Sequence, residues 1–384
     1  MSSIIKNKAM TEKKLEEIYE KFITFYKNNF IFDAKNNSTS LKKLKLSDST
    51  IGRFYDQYYK ITYVNFLENL KYILYSKDVF DFIFKDSSED WKLWPYLYFL
   101  EKNKLIKVGR TGKVTHMNKE ILEIIPKPLT EEEIKNLLEE KLKVKIRSSE
   151  SMVKLFEKFK SFEVKGQWDQ MPISQGSAIF LVHKILERIP LKKKFLFVGD
   201  DDFISIVMGL ICPGFESVVI DADDQLLATI DFLAKKFNLK IETKKVDIRK
   251  DVRVGKFIGF LANPVYTADG VKGFVKFGLN QLGKDGGLAF LEVGEESIGN
   301  RFLSLHEFFA KNGLIAKELI RGKIFYPYIK LYKEDEEIFR RLASMIDEEV
   351  IKKSPKLAAS LYIFSYLPSK IKEVKFKKPF YAYL

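Results

Sequence analysis

Cysteine and histidine are scarce in this sequence, whose 384 residues include one cysteine, Cys212, and three histidines. A single cysteine excludes an internal disulfide framework and a cysteine-rich zinc site. His116, His183 and His306 lie too far apart in the chain to indicate a histidine cluster. We therefore expect a protein of a reducing compartment.

Long apolar runs are also missing. No stretch of about eighteen apolar residues occurs, which excludes a helical membrane span. The N-terminal segment MSSIIKNKAMTEKK lacks the apolar core of a secretory signal. We expect a cytoplasmic protein with no membrane partner. Few glutamines beside abundant lysine, glutamate and isoleucine are typical of a thermophile.

Basic residues outnumber acidic ones by 66 to 52, which gives a formal net charge of +14. Such a surplus is compatible with a nucleic-acid partner. It is absent, however, from residues 195–234, which contain eight acidic residues and no lysine or arginine. At the average composition of the chain, forty positions would hold about seven basic residues. This acidic segment indicates a site for a cationic ligand rather than for a nucleic acid.

The pattern of the chain changes near residue 165. Before it, apolar residues recur with helical spacing, and a helix over 91–100 is followed by two short alternating runs joined at Arg110–Gly112. Helices followed by such a hairpin are typical of a winged-helix module. We predict a mainly helical, winged-helix-like N-terminal domain over 1–145, a helical linker over 146–164 and a second domain over 165–384.

The second domain alternates strand and helix patterns, which predicts right-handed βαβ units and a parallel sheet. The fold class is therefore α/β, a Rossmann-like doubly wound sheet. Its apolar runs end at Gly199, Asp221, Asp247 and Asn263. The carboxyl ends of such strands meet at one edge, where ligands bind.

These strand ends contain the candidate site. Gly199 is followed by three aspartates, and in a sheet of this kind an acid that closes the second strand, here Asp221, binds ribose hydroxyls. The first loop lacks the glycines of a pyrophosphate-binding loop, and its carboxylates would repel phosphates. A sulfonium nucleoside or a polyamine fits this charge. The structural alternative is that Asp202 caps the following helix and that Asp223 or Asp224 caps the next one.

The motifs at these strand ends resemble the branched-chain polyamine synthases, or bis(aminopropyl)spermidine synthases. The resemblance covers about residues 165–345 and rests on FVGDDD at 197–202, VVIDADDQLL at 218–227, VDIRK at 246–250, NPVYT at 263–267, QWDQMP at 167–172 and EES at 295–297. It implies a class I methyltransferase-like fold and a homodimer. It also implies transfer of aminopropyl groups, without a metal, from decarboxylated S-adenosylmethionine to a secondary amine of a linear polyamine such as spermidine.

The resemblance and the chemistry of the side chains together suggest a role for each candidate residue. The catalytic candidates are Asp200, Asp201, Asn263 and Tyr266. The candidates that contact the nucleoside donor are Gly199, Asp202, Asp221, Asp223, Asp247 and Pro264. The candidates that bind the polyamine are Asp169, Gln170 and Glu295. The structural alternatives are a turn for Asp169 and a helix cap for Glu295.

Two other functions stay open. The family has an Asp-Pro-Pro-Tyr loop where this chain has Asn263 and Val265, which brings the loop closer to the Asn-Pro-Pro-Tyr of amino-methyltransferases. An S-adenosylmethionine-dependent amino-methyltransferase is therefore the first alternative. The second is a nucleic-acid-binding regulator that senses a polyamine, with Lys107, Arg110 and Lys113 of the hairpin on phosphates.

Overall fold

The computed structural model describes residues 13–26, 61–75, 90–116, 122, 125, 127–147, 150–166, 170–189, 193–283, 286–328 and 333–368. In the N-terminal part, helices cover residues 13–26, Tyr63–Tyr75, Asp90–Lys102 and Glu131–Leu142. Strands β1 (Ile106–Val108) and β2 (Val114–His116) pair antiparallel and form the predicted hairpin. The residues of this part that were predicted on helical spacing therefore lie in helices.

The second part contains a seven-stranded sheet with the order β5-β4-β3-β6-β7-β9-β8. Its strands are β3 (Phe195–Val198), β4 (Glu216–Asp221), β5 (Lys240–Lys245), β6 (Gly259–Ala262), β7 (Gly287–Val293), β8 (Leu314–Pro327) and β9 (Pro355–Tyr366). Strands β3 to β7 run parallel, which confirms the α/β class. Strand β9 was not predicted, and it pairs antiparallel with both β7 and β8. A parallel sheet therefore describes only five of the seven strands.

Helices cover both faces of this sheet. They are Met152–Glu157, Gln175–Arg188, Ile204–Ile211, Asp224–Lys236, Ala268–Gln281, Glu295–Ile298, Leu303–Lys311, Lys333–Ala343 and Glu348–Lys353, with a 3-10 turn at Gly299–Phe302. Within β3, Phe195 and Phe197 pack into the core on one face, and Leu196 and Val198 pack into the core on the other. Because both faces are buried, the strand is a continuous apolar run.

The N-terminal helices share a core with the sheet. Leu15, Phe66 and Leu138 belong to the same buried cluster as Phe197 of β3.

None of the described helices is long and apolar enough to span a bilayer. The domain boundaries at residues 145 and 164 stay a prediction.

The order of the strands reverses at β3, which pairs with β4 on one side and with β6 on the other. Val198 lies opposite Ala262 in the register, so Gly199 and Asn263 leave the sheet side by side. The candidate site lies at this point, as expected for a doubly wound sheet.

Candidate active site

The loop after β3 has a backbone that few residues could adopt. Gly199 has φ of +77°, and a Cβ at this position would lie 3.3 Å from both the Asn263 carbonyl oxygen and the Phe274 ring. Phe203 is also left-handed, with φ of 54° and ψ of 29°. Its buried ring packs against Phe156 and Phe162, each with ring centroids 5.5 Å away. This packing holds the strained residue and fixes the three aspartates between it and Gly199.

Asp200 binds the start of the helix Ile204–Ile211. Its carboxylate accepts hydrogen bonds from the Ile204 amide, at 2.8 Å, and from the Ser205 amide and hydroxyl. Burial raises the pKa of this carboxyl well above its usual value. Two cavities lie at the carboxyl edge of the sheet, and Asp200 is not among the described residues that line them. The cap predicted for Asp202 is therefore made by Asp200.

The Asp200→Ala substitution is expected to lower the free energy of unfolding by about 1–3 kcal/mol, because it leaves buried donors of the helix start unpaired. Urea denaturation at neutral pH measures the change. Asp224→Ala is the matched control, since Asp224 is 72% exposed and pairs with Lys245. A wild-type denaturation midpoint combined with lost catalysis would instead support the catalytic role first predicted for Asp200.

Asp201 and Asp202 are joined by Asn263. The single amide nitrogen of Asn263 donates to Asp201 Oδ1 at 3.1 Å and to Asp202 Oδ2 at 2.8 Å. The other carboxylate oxygens accept from the backbone, Asp201 from Met171 at 3.1 Å and Asp202 from Ile173 at 2.6 Å. Both N–H groups of the Asn263 amide are thus used on carboxylates. An aspartate at this position could not form these bonds while ionised.

Glu292, near the end of β7, is an acid that the sequence analysis missed. It is 0% exposed, and neither carboxylate oxygen has a hydrogen-bond partner among the described residues. Leu291 lies opposite Ala262 of β6, so Glu292 lies beside Asn263 in the register. Burial and the neighbouring Asp201 raise the pKa of the Glu292 carboxyl well above its usual value. The sequence feature that could have identified Glu292 is the presence of an acid near the end of the apolar run GLAFLEV.

Two cavities meet at the carboxyl edge of the sheet. The larger one has a volume of 860 Å³ and lies over the ends of β3, β4 and β5. The smaller one has a volume of 620 Å³ and lies beside the ends of β6 and β8. Both cavities are lined by Asp201, Asn263, Pro264 and Val265. These four residues therefore form the boundary across which a group in one cavity could reach a group in the other.

Acidic side chains from three strand ends line the larger cavity. Asp221 accepts a hydrogen bond from the Asp223 amide at 2.8 Å, and burial raises the pKa of its carboxyl to about 6. Asp247, together with Arg249, forms an ion pair with an N–O distance of 2.8 Å, and hydrogen bonds from Arg249 lower its pKa to about 2. Gly199 and Pro264 also line this cavity.

Asp223 is fully engaged by neighbouring residues. It caps the helix Asp224–Lys236 by accepting from the Gln225 amide at 3.0 Å. It also accepts from Lys165 Nζ at 2.8 Å and from Gln170 Nε2 at 2.9 Å. Gln170 therefore binds Asp223 in this structure. The contacts of Asp223 and Gln170 with donor and polyamine stay predictions.

Basic residues from outside the acidic segment compensate part of its charge. Lys165, Lys245 and Arg249 line the larger cavity, and they pair with Asp223, Asp224 and Asp247 respectively. Residues 195–234 contain no basic residue, but the larger cavity is nevertheless lined by lysine and arginine side chains. These basic residues belong to segments of the chain outside 195–234, and the fold places them in the wall of the larger cavity.

Two tyrosines line the smaller cavity. The Tyr266 and Tyr326 hydroxyls lie 2.7 Å apart, and their rings are perpendicular. Gly294 leaves room for Tyr266, since a Cβ there would lie 2.9 Å from its ring. Tyr326 comes from β8 and was not predicted as a site residue. It completes an aromatic wall beside Asp201.

Glu295 lies away from this wall. It accepts hydrogen bonds from the Ser360 hydroxyl at 2.8 Å and from the Tyr362 hydroxyl at 2.9 Å, both on β9. The described lining of the two cavities does not include Glu295 or Asp202. Asp169 lies outside the described residues. Their proposed contacts with ligands stay predictions.

No group of three or more His, Cys, Asp or Glu residues within the described ranges could hold a metal ion. The carboxylate of Asp201, which faces both cavities, fits a cationic ligand.

A family model and two curated relatives match parts of this chain. The family model for the branched-chain polyamine synthase A C-terminal domain matches residues 154–374, which is more than half of the chain. An N(4)-bis(aminopropyl)spermidine synthase of Thermus thermophilus is 30% identical over 141 residues, or 35% of this chain and 40% of that protein. An uncharacterized protein of Methanocaldococcus jannaschii is 34% identical over 138 residues, or 35% of this chain and 34% of that protein. The matched segments thus span well under half of these two relatives.

Two solved structures are similar to this chain at low sequence identity. The branched-chain polyamine synthase from Thermus thermophilus, in complex with N4-aminopropylspermidine and 5'-methylthioadenosine, has a TM-score of 0.47 and 17% identity, covering 82% of this chain and 90% of that chain. A tRNA methyltransferase from Pyrococcus abyssi has a TM-score of 0.33 and 13% identity, covering 50% of this chain and 39% of that chain.

Proposed function

The chain belongs to the branched-chain polyamine synthase family, and from this premise we propose that it transfers an aminopropyl group from decarboxylated S-adenosylmethionine to a secondary amine of a linear polyamine. The observation that carries the proposal is the boundary between the two cavities. Asp201 and Asn263 line both of them, so a donor in one and an acceptor in the other would meet at these side chains.

The larger cavity fits the nucleoside part of the donor. Asp221 closes β4, the position at which an acid binds ribose hydroxyls in such sheets. Asp247 follows β5 on the same wall and suits the adenine side. Gly199 has no side chain, which leaves open the space between Asp221 and Asn263, where a Cβ would lie 4.0 Å from the Asp221 carboxylate and 3.3 Å from the Asn263 carbonyl oxygen. The sulfonium would then lie near the boundary residues.

The smaller cavity fits the polyamine acceptor. Its wall combines the faces of Tyr266 and Tyr326 with the apolar side chains of Met171 and Leu357. Aromatic faces and aliphatic side chains suit the methylene segments and ammonium groups of a linear polyamine. Asp201 supplies a carboxylate at the end of this cavity nearest the donor.

The reaction is an in-line displacement. The acceptor ammonium first loses a proton to a carboxylate of the site, for which Asp201 is placed best. The free amine then attacks the propyl carbon, the carbon–sulfur bond breaks, and methylthioadenosine leaves as a neutral thioether. The positive charge moves from sulfur to the new tertiary ammonium, so charge and atoms balance. The enzyme mainly has to align nitrogen, carbon and sulfur.

One observation favours the methyltransferase alternative. Lys165 lines the larger cavity and is 27% exposed, although it pairs with Asp223. A lysine there could also bind the carboxylate of S-adenosylmethionine, which the decarboxylated donor lacks. Calorimetric titration with both nucleosides separates the two functions. Tighter binding of the carboxylated nucleoside would favour methyl transfer.

The proposed function is tested by chromatography of the nucleoside product. The purified protein is incubated with decarboxylated S-adenosylmethionine, with and without spermidine. We expect methylthioadenosine to form only when both substrates are present. Release that does not depend on the polyamine, or no release with any linear polyamine, would overturn the proposal.

A further inference from the structure

The buried acid Glu292 has no role in the reaction described above. Its side chain is 0% exposed on a strand that is buried along its whole length. Neither carboxylate oxygen accepts a hydrogen bond from any described residue. A buried carboxyl without a donor costs free energy, so a purely structural position would favour an apolar side chain.

None of the described groups near Glu292 donates a hydrogen bond to it. On the β6 side, both N–H groups of the Asn263 amide are used on Asp201 and Asp202. On the β8 side, the Tyr326 hydroxyl bonds to the Tyr266 hydroxyl. The residue opposite Glu292 on β9 is Leu361.

Charge around Glu292 is of one sign. Asp200 and Asp201 are close enough to raise the pKa of its carboxyl, and Glu292 in turn raises that of Asp202. Within the described ranges, no lysine or arginine forms an ion pair with Glu292 or Asp202. Carboxylates that share a dry site cannot all ionise, so at least one keeps a proton until a cation arrives. Among these acids, Glu292 has no hydrogen-bond donor to its carboxylate oxygens, so its ionised form would be the least stabilised.

We propose that Glu292 is a positioning residue that stores a proton in the free enzyme and releases it when an ammonium group of the acceptor binds beside Asp201. This inference rests on the proposed function, because it takes the ligand of the smaller cavity to be a polyamine. The proton passes from the Glu292 carboxyl to solvent, and the ammonium charge replaces it. The acids around Asn263 then carry one more negative charge in the substrate complex, where a base is needed, than in the free enzyme.

The proposal has a thermodynamic consequence. Binding that releases a proton strengthens as pH rises, over the range between the pKa values of the group in its free and bound states. Polyamine nitrogens resemble lysine and stay protonated at neutral pH. The affinity for spermidine should therefore increase as pH rises through the raised pKa of the Glu292 carboxyl.

Calorimetry of spermidine binding tests the role of Glu292. The full chain is saturated with methylthioadenosine, which cannot react, and spermidine is titrated in two buffers of different ionisation enthalpy at the same pH. The difference in heat gives the number of protons released. We expect Glu292→Gln to release fewer protons than the wild-type protein, by up to about one proton per site. Glu307→Gln is the matched control, because this exposed acid pairs with Lys311 and is not among the described residues that line either cavity, and it should release as many protons as the wild-type protein.

Equal proton release by the wild-type protein and Glu292→Gln would overturn the proposal. If Glu292→Gln does not fold, the pH dependence of spermidine binding by the wild-type protein decides, because an affinity that does not change over the same range contradicts a stored proton. Failure of the wild-type protein to bind any linear polyamine would refute the proposed function instead, so the two failures are distinguishable.

Discussion

The Asp201→Asn substitution is expected to lower the kcat of aminopropyl transfer by about 10²- to 10⁴-fold, the range typical of a lost acid–base group. Asp201 is the one aspartate of the Gly-Asp-Asp-Asp run that lines both cavities in the described structure. Asparagine keeps the shape of the side chain and can still accept from the Met171 amide. It cannot take a proton from the acceptor ammonium.

Steady-state kinetics with circular dichroism check this expectation. The unfolding midpoint of Asp201→Asn should stay near the wild-type value, because one carboxylate fewer relieves repulsion in the acid cluster as one bond to Asn263 is lost. Asp224→Asn is the control, since this exposed acid also lines the larger cavity but lies away from the boundary residues. A kcat within a few-fold of wild type for Asp201→Asn would remove Asp201 from the reaction.

The Asp221→Asn substitution is expected to raise the KM for the nucleoside donor by about 10- to 100-fold. The ionised carboxylate can accept from both ribose hydroxyls, and a hydrogen bond to a charged group contributes about 1.5–3 kcal/mol. Asparagine still accepts from the Asp223 amide, which preserves the turn. Because Asp221 does not touch the reacting atoms, kcat should change little.

The pH dependence of donor binding provides an independent check of Asp221. Burial raises the pKa of its carboxyl to about 6, so the group becomes protonated below that value. Donor affinity of the wild-type protein should therefore fall as pH decreases through about 6. The affinity of Asp221→Asn should lack this change. Unaltered donor affinity and an unaltered pH profile in Asp221→Asn would exclude the ribose contact.

The strand ends of the parallel sheet could be predicted because each one is recognised from a few neighbouring residues. Each apolar run ends in a polar residue, and parallel strands place those ends at one edge. Asp201, Asp221, Asp247 and Asn263 all lie on the walls of the cavities found there. The position of the site therefore followed from short segments alone.

The different contacts of the aspartates that follow Gly199 could not be predicted. Asp200 and Asp201 are adjacent, yet one binds a helix start and the other faces two cavities. They are followed by Phe203, whose left-handed backbone lies at the N-cap of the helix that Asp200 binds. This conformation depends on packing against Phe156 and Phe162, which are distant in sequence.

Tyr326 and Glu292 were missed for a similar reason. Tyr326 reaches the site only because β8 lies at the antiparallel edge formed with β9, a strand that the alternating pattern did not predict. Glu292 becomes informative only when its lack of a hydrogen-bond donor is known. Neither property is contained in local spacing, since both arise from contacts between distant strands.

Asp201 lies where the two substrates are proposed to react, and tandem mass spectrometry of the polyamine product tests this most directly. The protein is incubated with decarboxylated S-adenosylmethionine and a panel of linear polyamines. The account predicts a product one aminopropyl unit heavier than spermidine, with fragments that place the new group on the secondary nitrogen, and almost none of it with Asp201→Asn. A methylated product, or an equal yield from Asp201→Asn, would contradict it.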